Sequence, residues 1–243
     1  MVARITRHPL IGLGLEALLV VAAYFAYSGL RIVVEGSQTV AVEHAFEIVT
    51  LEQSLGLFRE AEIQRVVESR PWLAGFMDWF YLWAYLPALG VGAAIVYLRD
   101  RSLYRCYRNT LFISAAIGLL IFALLPVAPP RMLPEYGFTD TVHVTSTSSV
   151  KNDFAAIPSF HFAFTMLAAL GAAHAFGFRR WLTLALAALP ALMLVAIVAT
   201  ANHFFIDAFV GAVLVMGVWY RFVAARPRDL EPAAEAIPVT IAP

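Results

Sequence analysis

Six long apolar stretches, separated by short polar segments, dominate the pattern of this sequence. They occupy residues 10–34, 72–98, 109–128, 159–177, 182–201 and 204–223. A helix needs about 20 apolar residues to cross the hydrocarbon core of a bilayer. The pattern therefore predicts an all-α polytopic membrane protein with six transmembrane helices, in a single domain over residues 1–225. We expect residues 226–243, rich in proline, alanine and glutamate, to form a disordered cytoplasmic tail.

The segment between the first two apolar stretches has a different, amphipathic pattern. Apolar residues recur here at roughly helical spacing, with glutamates such as Glu43 and Glu47 between them. This pattern predicts one or two amphipathic helices over about residues 40–70 that lie on the membrane surface. Two roles stay open for the segment: it covers a functional site, or it only packs at the interface.

Basic residues indicate the orientation of the predicted helices, because short cytoplasmic loops of membrane proteins are rich in arginine and lysine. With a cytoplasmic N-terminus, eleven of the seventeen basic residues are cytoplasmic: Arg4, Arg7, Arg99, Arg101, Arg105, Arg108, Arg179, Arg180, Arg221, Arg226 and Arg228. Six spans then place both termini in the cytoplasm and segments 35–71, 129–158 and 201–204 on the opposite side. We expect an integral protein of a bacterial plasma membrane.

The composition agrees with this class and excludes several kinds of site. The 243 residues are 61% hydrophobic and only 14% charged, whereas a soluble domain carries about 25% charged residues. The net charge is zero, so no overall field points to a nucleic-acid partner. Cys106 is the single cysteine, which excludes an intrachain disulfide and a cysteine-rich zinc site.

A histidine and a carboxylate, His203 and Asp207, lie four residues apart at the start of the last apolar stretch. If this stretch is helical, both side chains share one face, and the carboxylate accepts a hydrogen bond from one ring nitrogen. That bond would fix the imidazole tautomer and leave the other nitrogen as a nucleophile or base. A polar pair that only caps or packs a helix end has the same sequence pattern.

Two further polar groups are expected on the same outward face. Pro158 and Ser159 are typical of a helix start, and His161 follows in the first turn, where it would donate a proton to a departing oxygen. The N–H groups of such a helix start attract anions. Arg131 follows the third apolar stretch, and its planar guanidinium suits phosphate oxygens. The simpler alternatives are an ordinary helix cap and an interfacial arginine.

Taken in order, these elements resemble the type-2 phosphatidic acid phosphatase superfamily. The superfamily pattern is Lys-x6-Arg-Pro, then Pro-Ser-Gly-His, then Ser-Arg-x5-His-x3-Asp. This chain has Arg131, then Pro-Ser-Phe-His at 158–161, then His203-x3-Asp207, and the resemblance covers residues 72–223. Six spans with an outward-facing site are also the layout of the lipid phosphatases of that superfamily.

The resemblance implies phosphotransfer on a membrane lipid substrate without a metal ion or another cofactor. His203 would attack phosphorus and form a phosphohistidine, Asp207 would orient and stabilise it, and His161 would protonate the leaving group. Arg131 and Ser159 would hold the equatorial oxygens, where the charge of the transition state is spread. Water or an alcohol would then take the phosphoryl group from His203.

Three positions depart from the superfamily pattern, and two of them remove a cation. Phe160 replaces the motif glycine, Leu124 stands in place of the lysine of the first motif, and Ile197 in place of the arginine of the third. Inositol phosphorylceramide synthases and sphingomyelin synthases similarly keep the histidines with fewer arginines. A phosphodiester carries less negative charge than a monoester, so fewer cations suit it. We therefore expect an inositol phosphorylceramide synthase-like branch, which transfers a phospho-headgroup between lipids.

Two more side chains are candidates for phosphate binding. Asn202 lies beside the histidine of the third motif, and Lys151, in the outward loop, would supply a missing cation. Arg101 and Arg108 have the spacing of the first motif but lie on the cytoplasmic side. We therefore assign these two arginines to a cytoplasmic loop and not to the site.

Three functions stay open at this point. The first is a lipid phosphotransferase, the second a phosphatase of lipid phosphate monoesters such as phosphatidic acid or polyprenyl phosphate. The third is a lipid transporter or a non-catalytic lipid-binding membrane protein. Polar groups that gather at one surface, and not at the membrane midplane, favour an enzyme over a transporter. The sequence leaves the oligomeric state open.

Overall fold

The apolar stretches of the chain form long helices in a computed structural model that describes residues 9–142 and 152–226. The helices of the described residues are α1 (Pro9–Val33), α2 (Gln38–Ser54), α3 (Glu60–Glu68), α4 (Pro71–Trp83), α5 (Tyr85–Arg99), α6 (Arg101–Leu124), α7 (Phe160–Ala175), α8 (Arg180–Ala199) and α9 (Phe205–Ala224). Two 3₁₀ turns, Pro130–Met132 and Pro134–Tyr136, follow α6. The predicted all-α class is confirmed, and the predicted tail at 227–243 lies outside the described residues.

Four helices, α1, α6, α8 and α9, are long and apolar enough to cross a membrane. Helices α4 and α5 meet the same criterion only together, as one span bent by 50°. The predicted span at 159–177 is the 16-residue helix α7, which is shorter than an ordinary span. These apolar helices indicate an integral membrane protein with four or five candidate spans, and the six predicted spans are not confirmed.

Prolines explain where two of the predicted spans differ from the observed helices. Pro87 has no N–H for the carbonyl of Trp83, and its ring crowds that carbonyl, so the predicted span 72–98 bends at Ala84. The third span ends at Leu124 and not at residue 128, because a proline at 126 disfavours helical backbone in the residue before it.

Helix α7 is the central helix and packs against α5, α6, α8 and α9. Its close approach to α9 depends on Gly211, where a Cβ would lie 2.7 Å from the carbonyl oxygen of Ser159. The N–H of Ser159 in turn donates to the carbonyl oxygen of Asp207 at 2.9 Å. The beginnings of α7 and α9 are therefore in direct contact, and the residues around His161 and His203 meet there.

The segment at 40–70 forms two helices, α2 and α3, in agreement with the one or two helices that its pattern predicts. Ala41, Ala45 and Val49 on α2 are fully buried against the loops that follow α6 and precede α7. A backbone hydrogen bond from Ala128 to the carbonyl oxygen of Ala41, 2.9 Å long, joins the segment to the first of these loops. The segment therefore covers the loops at this end of the bundle.

Arginines gather at the opposite end of the bundle. Arg99 lies 4.0 Å from the centre of the Phe176 ring, and Arg108 pairs with Glu16 at 2.6 Å. The guanidinium of Arg101 lies 3.3 Å from the centre of a tyrosine ring on its own side of the bundle. Arg101 and Arg108, which have the spacing of the first motif, are therefore remote from the end where α7 and α9 begin.

Candidate active site

A cavity of about 80 Å³ lies at the end of the bundle where α7 and α9 begin. Its polar wall is formed by Arg31, Arg131, Asn152, Asp153, His161, Asn202 and His203. Its aromatic wall includes Tyr27, Phe122, Phe160 and Phe164. The lining therefore offers polar groups that suit a charged ligand and aromatic rings that suit an apolar chain.

A tight turn between α8 and α9 carries His203. The backbone N–H groups of Asn202 and His203 both donate to the carbonyl oxygen of Ile197, at 3.0 and 3.2 Å. Ala201 adopts a left-handed conformation with φ 49°, and such strain in a non-glycine residue is concentrated at functional sites. The turn places His203 in the cavity wall with only 5% of its surface exposed.

Two acceptors hold the same ring nitrogen of His203. Its Nδ1 lies 2.8 Å from the carbonyl oxygen of Ala156 and 3.3 Å from Oδ2 of Asp207. Because a carbonyl and a carboxylate only accept hydrogen bonds, Nδ1 carries the proton in the neutral ring, and Nε2 then has the lone pair. The carbonyl of Ala156 is the nearer partner, and Asp207 is the second.

Helix capping, and not a shared helix face, brings His203 close to Asp207. Helix α9 begins at Phe205, so His203 lies before the helix. The two side chains therefore do not share a helix face. Oδ2 of Asp207 accepts the N–H of the N-cap residue Phe204 at 2.9 Å. This bond holds the carboxylate beside the start of the helix, where His203 lies.

His161 lies in the first turn of α7 between two tyrosine rings. Its ring centre is 4.3 Å from that of Tyr81 and 4.5 Å from that of Tyr85. Tyr81 lies near the end of α4 and Tyr85 begins α5, so the bend at Ala84 places both rings against the histidine. The ring centres of His161 and His203 are 5.7 Å apart, which is close enough for both to contact one phosphoryl group.

Arg131 reaches the cavity from the first 3₁₀ turn after α6. Its backbone N–H donates to the carbonyl oxygen of Ala201 at 2.9 Å, which joins it to the turn that carries His203. Its guanidinium donates to Oδ1 of Asp153 at 3.2 Å, and Nε lies 3.9 Å from Oδ2 of Asp140. Arg131 is thus in place for a phosphate oxygen and is partly balanced by carboxylates.

Asn202 orients Arg131. Its side-chain oxygen accepts a hydrogen bond from Nη1 of Arg131, and its amide nitrogen donates to the carbonyl oxygen of Thr200 at 3.0 Å and to the Thr200 hydroxyl at 2.9 Å. The amide lines the cavity, but its hydrogen-bonding groups are already used. A direct contact between Asn202 and phosphate, as expected from the sequence, would require these bonds to rearrange.

Two of the other predicted phosphate ligands are not in the cavity wall that the structure describes. Ser159 is the N-cap residue of α7, but its hydroxyl is fully buried and has no partner among the described residues. It lies behind the cavity, at the contact between α7 and α9. Lys151 lies outside the described residues.

Two glutamates, one on α2 and one on α3, accept hydrogen bonds from the first N–H groups of α9. Oε1 of Glu52 accepts the N–H of Ile206 at 2.9 Å, and Oε1 of Glu60 accepts the N–H of Phe205 at 3.2 Å. Both glutamates are fully buried. With the capping aspartate on the preceding N–H group, carboxyl oxygens of three side chains accept from three successive donors at the start of this helix. Helices α2 and α3 therefore position the start of α9.

The titration of Glu52 predicts a pH-dependent stability. Burial and the neighbouring Glu60 raise the pKa of Glu52 from 4.5 to about 9. Between these values the folded protein keeps a proton that the unfolded chain releases. The free energy of unfolding should therefore fall as pH rises through this window, by at most about 1.4 kcal/mol per pH unit. Glu52→Gln, which is neutral at every pH, should remove this slope.

Chemical denaturation of the detergent-solubilised protein across this pH window measures the effect of Glu52→Gln. Glu47→Gln is the matched control, because Glu47 is an exposed glutamate on the same helix. The control should keep the slope of the wild-type protein. Equal slopes for the wild-type protein and Glu52→Gln would contradict the assignment.

Among the cavity residues that were not expected from the sequence are Arg31, Tyr81 and Tyr85. A signal for Arg31 exists: a lone arginine near the end of an apolar stretch, away from the cytoplasmic arginines, is costly unless it has a function. No such signal marks the two tyrosines, because tyrosine is common near membrane interfaces. Only the bend between α4 and α5 reveals their position.

The three departures from the sequence motifs have distinct structural consequences. The ring of Phe160 stacks on Phe164 with their centres 4.5 Å apart, and it fits because residue 118 is glycine: a Cβ at Gly118 would overlap it. Leu124 is 81% exposed, and Ile197 is fully buried among apolar residues. Neither Leu124 nor Ile197 lines the cavity. The lysine and the arginine that the superfamily motifs have at these two positions therefore have no counterpart there.

Comparison with known proteins identifies the family of this chain. A family model described as the PAP2 superfamily matches residues 46–221. The match covers most of the chain and includes His161, His203, Asp207 and Arg131, whereas α1 precedes it. No curated protein and no solved structure matches the chain significantly. On the strength of the family match, this chain belongs to the PAP2 superfamily.

Proposed function

We propose that the chain is a membrane lipid phosphotransferase that acts through a phosphohistidine at His203. The observation that carries the proposal is the hydrogen bonding of this ring. Nδ1 is held by the carbonyl of Ala156, whereas Nε2 makes no hydrogen bond to the described residues, and the ring lines the cavity. Membership in the PAP2 superfamily supports a lipid phosphatase or phosphotransferase type of function.

The reaction would run in two displacements. In the first, Nε2 of His203 attacks phosphorus, the bond between phosphorus and the donor lipid alcohol breaks, and His161, which starts as the imidazolium, gives a ring proton to the departing oxygen and becomes neutral. In the second, neutral His161 takes the proton of an acceptor hydroxyl, whose oxygen attacks phosphorus and displaces His203. Arg131 stabilises the equatorial oxygens in both. Both histidines return to their starting states.

The charge of the cavity wall supports an anionic phosphate substrate. Among its described residues, two arginines, Arg31 and Arg131, are opposed by one carboxylate, Asp153, and the proton that His161 carries in the first displacement adds to the positive charge. The choice of a phosphodiester rests on the two motif cations that Leu124 and Ile197 replace. On that basis we favour transfer of a phospho-headgroup, such as inositol phosphate, from one lipid to another.

The length of α7 supports a cavity recessed in the membrane. Its 16 residues extend about 24 Å, which is less than the ~30 Å hydrocarbon core of a bilayer. With the arginine-rich end at the cytoplasmic interface, His161 lies below the opposite surface. Both termini are then cytoplasmic and the cavity faces the extracytoplasmic side. A recessed cavity limits access of water and so favours a lipid alcohol as the acceptor.

A product analysis tests the proposal. Purified protein in lipid nanodiscs is incubated with lipid phosphate monoesters or phosphodiesters and a lipid alcohol, and the products are identified by mass. We expect the headgroup of a phosphodiester to appear on the lipid alcohol. Release of inorganic phosphate from monoesters without headgroup transfer would instead indicate a phosphatase. No product from any donor would favour a transporter or lipid-binding protein.

A further inference from the structure

We propose that Arg31 of α1 is a second phosphate-binding side chain of the cavity and supplies a cation that the sequence motifs lack. The inference rests on the proposed function for the identity of the ligand as a lipid phosphate. It does not follow from the family match, because Arg31 precedes the matched residues 46–221. It follows from how Arg31 is anchored and from what its guanidinium lacks.

Arg31 is anchored by Asn152 through two hydrogen bonds. The amide nitrogen of Asn152 donates to the carbonyl oxygen of Arg31 at 2.9 Å, and Nη2 of Arg31 donates to the carbonyl oxygen of Asn152 at 3.3 Å. Asn152 is 2% exposed, and its side-chain oxygen accepts the N–H of Phe154 at 2.9 Å. The same stretch includes Ala156, which holds His203. One short stretch thus fixes both Arg31 and the nucleophile.

The guanidinium of Arg31 has unused hydrogen-bonding capacity. Its Nε is buried and has no acceptor among the described residues. Among the described residues, no carboxylate lies within ion-pair distance of Arg31, whereas Arg131 pairs with Asp153. A partly buried cation without a counter-ion near a membrane-spanning stretch is costly. An anionic ligand bound by the guanidinium in the cavity would remove this cost.

The surroundings of Arg31 indicate which part of a lipid it would bind. Tyr27, one helical turn earlier on α1, lies in the aromatic wall of the cavity, and its ring centre is 6.4 Å from that of Phe160. Arg31 therefore lies next to aromatic lining residues. A phosphate group held between Arg31 and Arg131 would place an attached apolar chain near these rings. We infer that α1 contributes to the recognition of lipid phosphates as a class.

Two measurements on Arg31 variants test the inference. Arg31→Met should lower kcat/KM for the lipid donor by about 100-fold, because a charged donor to the transferring phosphoryl group is lost. It should also remove the thermal stabilisation that orthovanadate, a phosphate analogue, gives to the wild-type protein. Arg31→Lys should recover part of both effects, since it keeps the charge but not the planar fork. Arg59→Met, at an exposed arginine, is the control and should match the wild-type protein.

The outcomes separate this inference from the proposed function. Wild-type turnover with unchanged kinetics and vanadate stabilisation in Arg31→Met would overturn the role of Arg31. Vanadate stabilisation that depends on Arg31, in a protein that turns over no lipid phosphate, would support anion binding at Arg31 and overturn the proposed function. If Arg31→Met does not fold, Arg31→Gln, which keeps a donor for the Asn152 carbonyl, decides in the same assays.

Discussion

His203→Gln is expected to abolish turnover of every lipid phosphate that the wild-type protein accepts. Glutamine keeps an N–H donor for the carbonyl of Ala156 but has no nucleophilic lone pair. Removal of the nucleophile from a covalent mechanism lowers the rate by about 10⁴-fold or more. His161 is held between two tyrosine rings and would not replace it. This is the largest effect that the proposed mechanism predicts.

Trapping of the intermediate checks this result directly. When the reaction with a labelled donor is stopped with base, we expect acid-labile label on the wild-type protein and none on His203→Gln. His174→Gln is the matched control, because His174 packs against Phe178 and Trp219 at the other end of α7. The control should keep full activity. Label on His203→Gln would show that another group is the nucleophile.

His161→Gln is expected to have the second largest effect, and the size of the effect should depend on the leaving group. Loss of a general acid slows a reaction by about 10²- to 10⁴-fold. A lipid alkoxide needs the proton that His161 supplies, whereas an aryl oxide is a stable anion and leaves without it. The variant should therefore lose most of its rate with the lipid donor and much less with an aryl phosphodiester.

The ratio of the two rates, measured for the wild-type protein and the variant, checks this role. With the aryl donor we also expect labelled His203 to accumulate in His161→Gln, since the acceptor hydroxyl has lost its base. An equal loss with both donors would contradict an acid role for His161. It would indicate that the side chain only positions the substrate or the neighbouring ring.

The sequence predicted the class of the fold and the convergence of its polar groups. Apolar stretches of spanning length and a bias of arginine to alternate loops place the segments around 129–131, 152–158 and 202–203 at one end of the bundle, and the cavity forms there. This prediction succeeded because spanning length and loop charge are local properties. Each is readable from a short segment without knowledge of its neighbours in space.

The details of the spans were predicted less well, and prolines account for much of the difference. The second predicted span is two helices with a bend before Pro87, and the third ends ahead of its predicted boundary. The bend matters for the site because it places Tyr81 and Tyr85 against His161. A proline in a sequence marks a position where a helix is weak. The direction of the bend depends on packing against α7 and α8.

The sequence by itself determined the apolar helices, the order of the motif residues and the absence of the two motif cations. Hydrophobic burial and backbone hydrogen bonding in a membrane act on each stretch separately, so these features follow from local composition. Only the tertiary structure decided that Glu52 and Glu60 cap α9, that Ala156 is the nearer partner of His203, and that Arg31 faces the cavity. These contacts join residues far apart in the chain. Their geometry follows from how whole helices pack, which no single segment specifies.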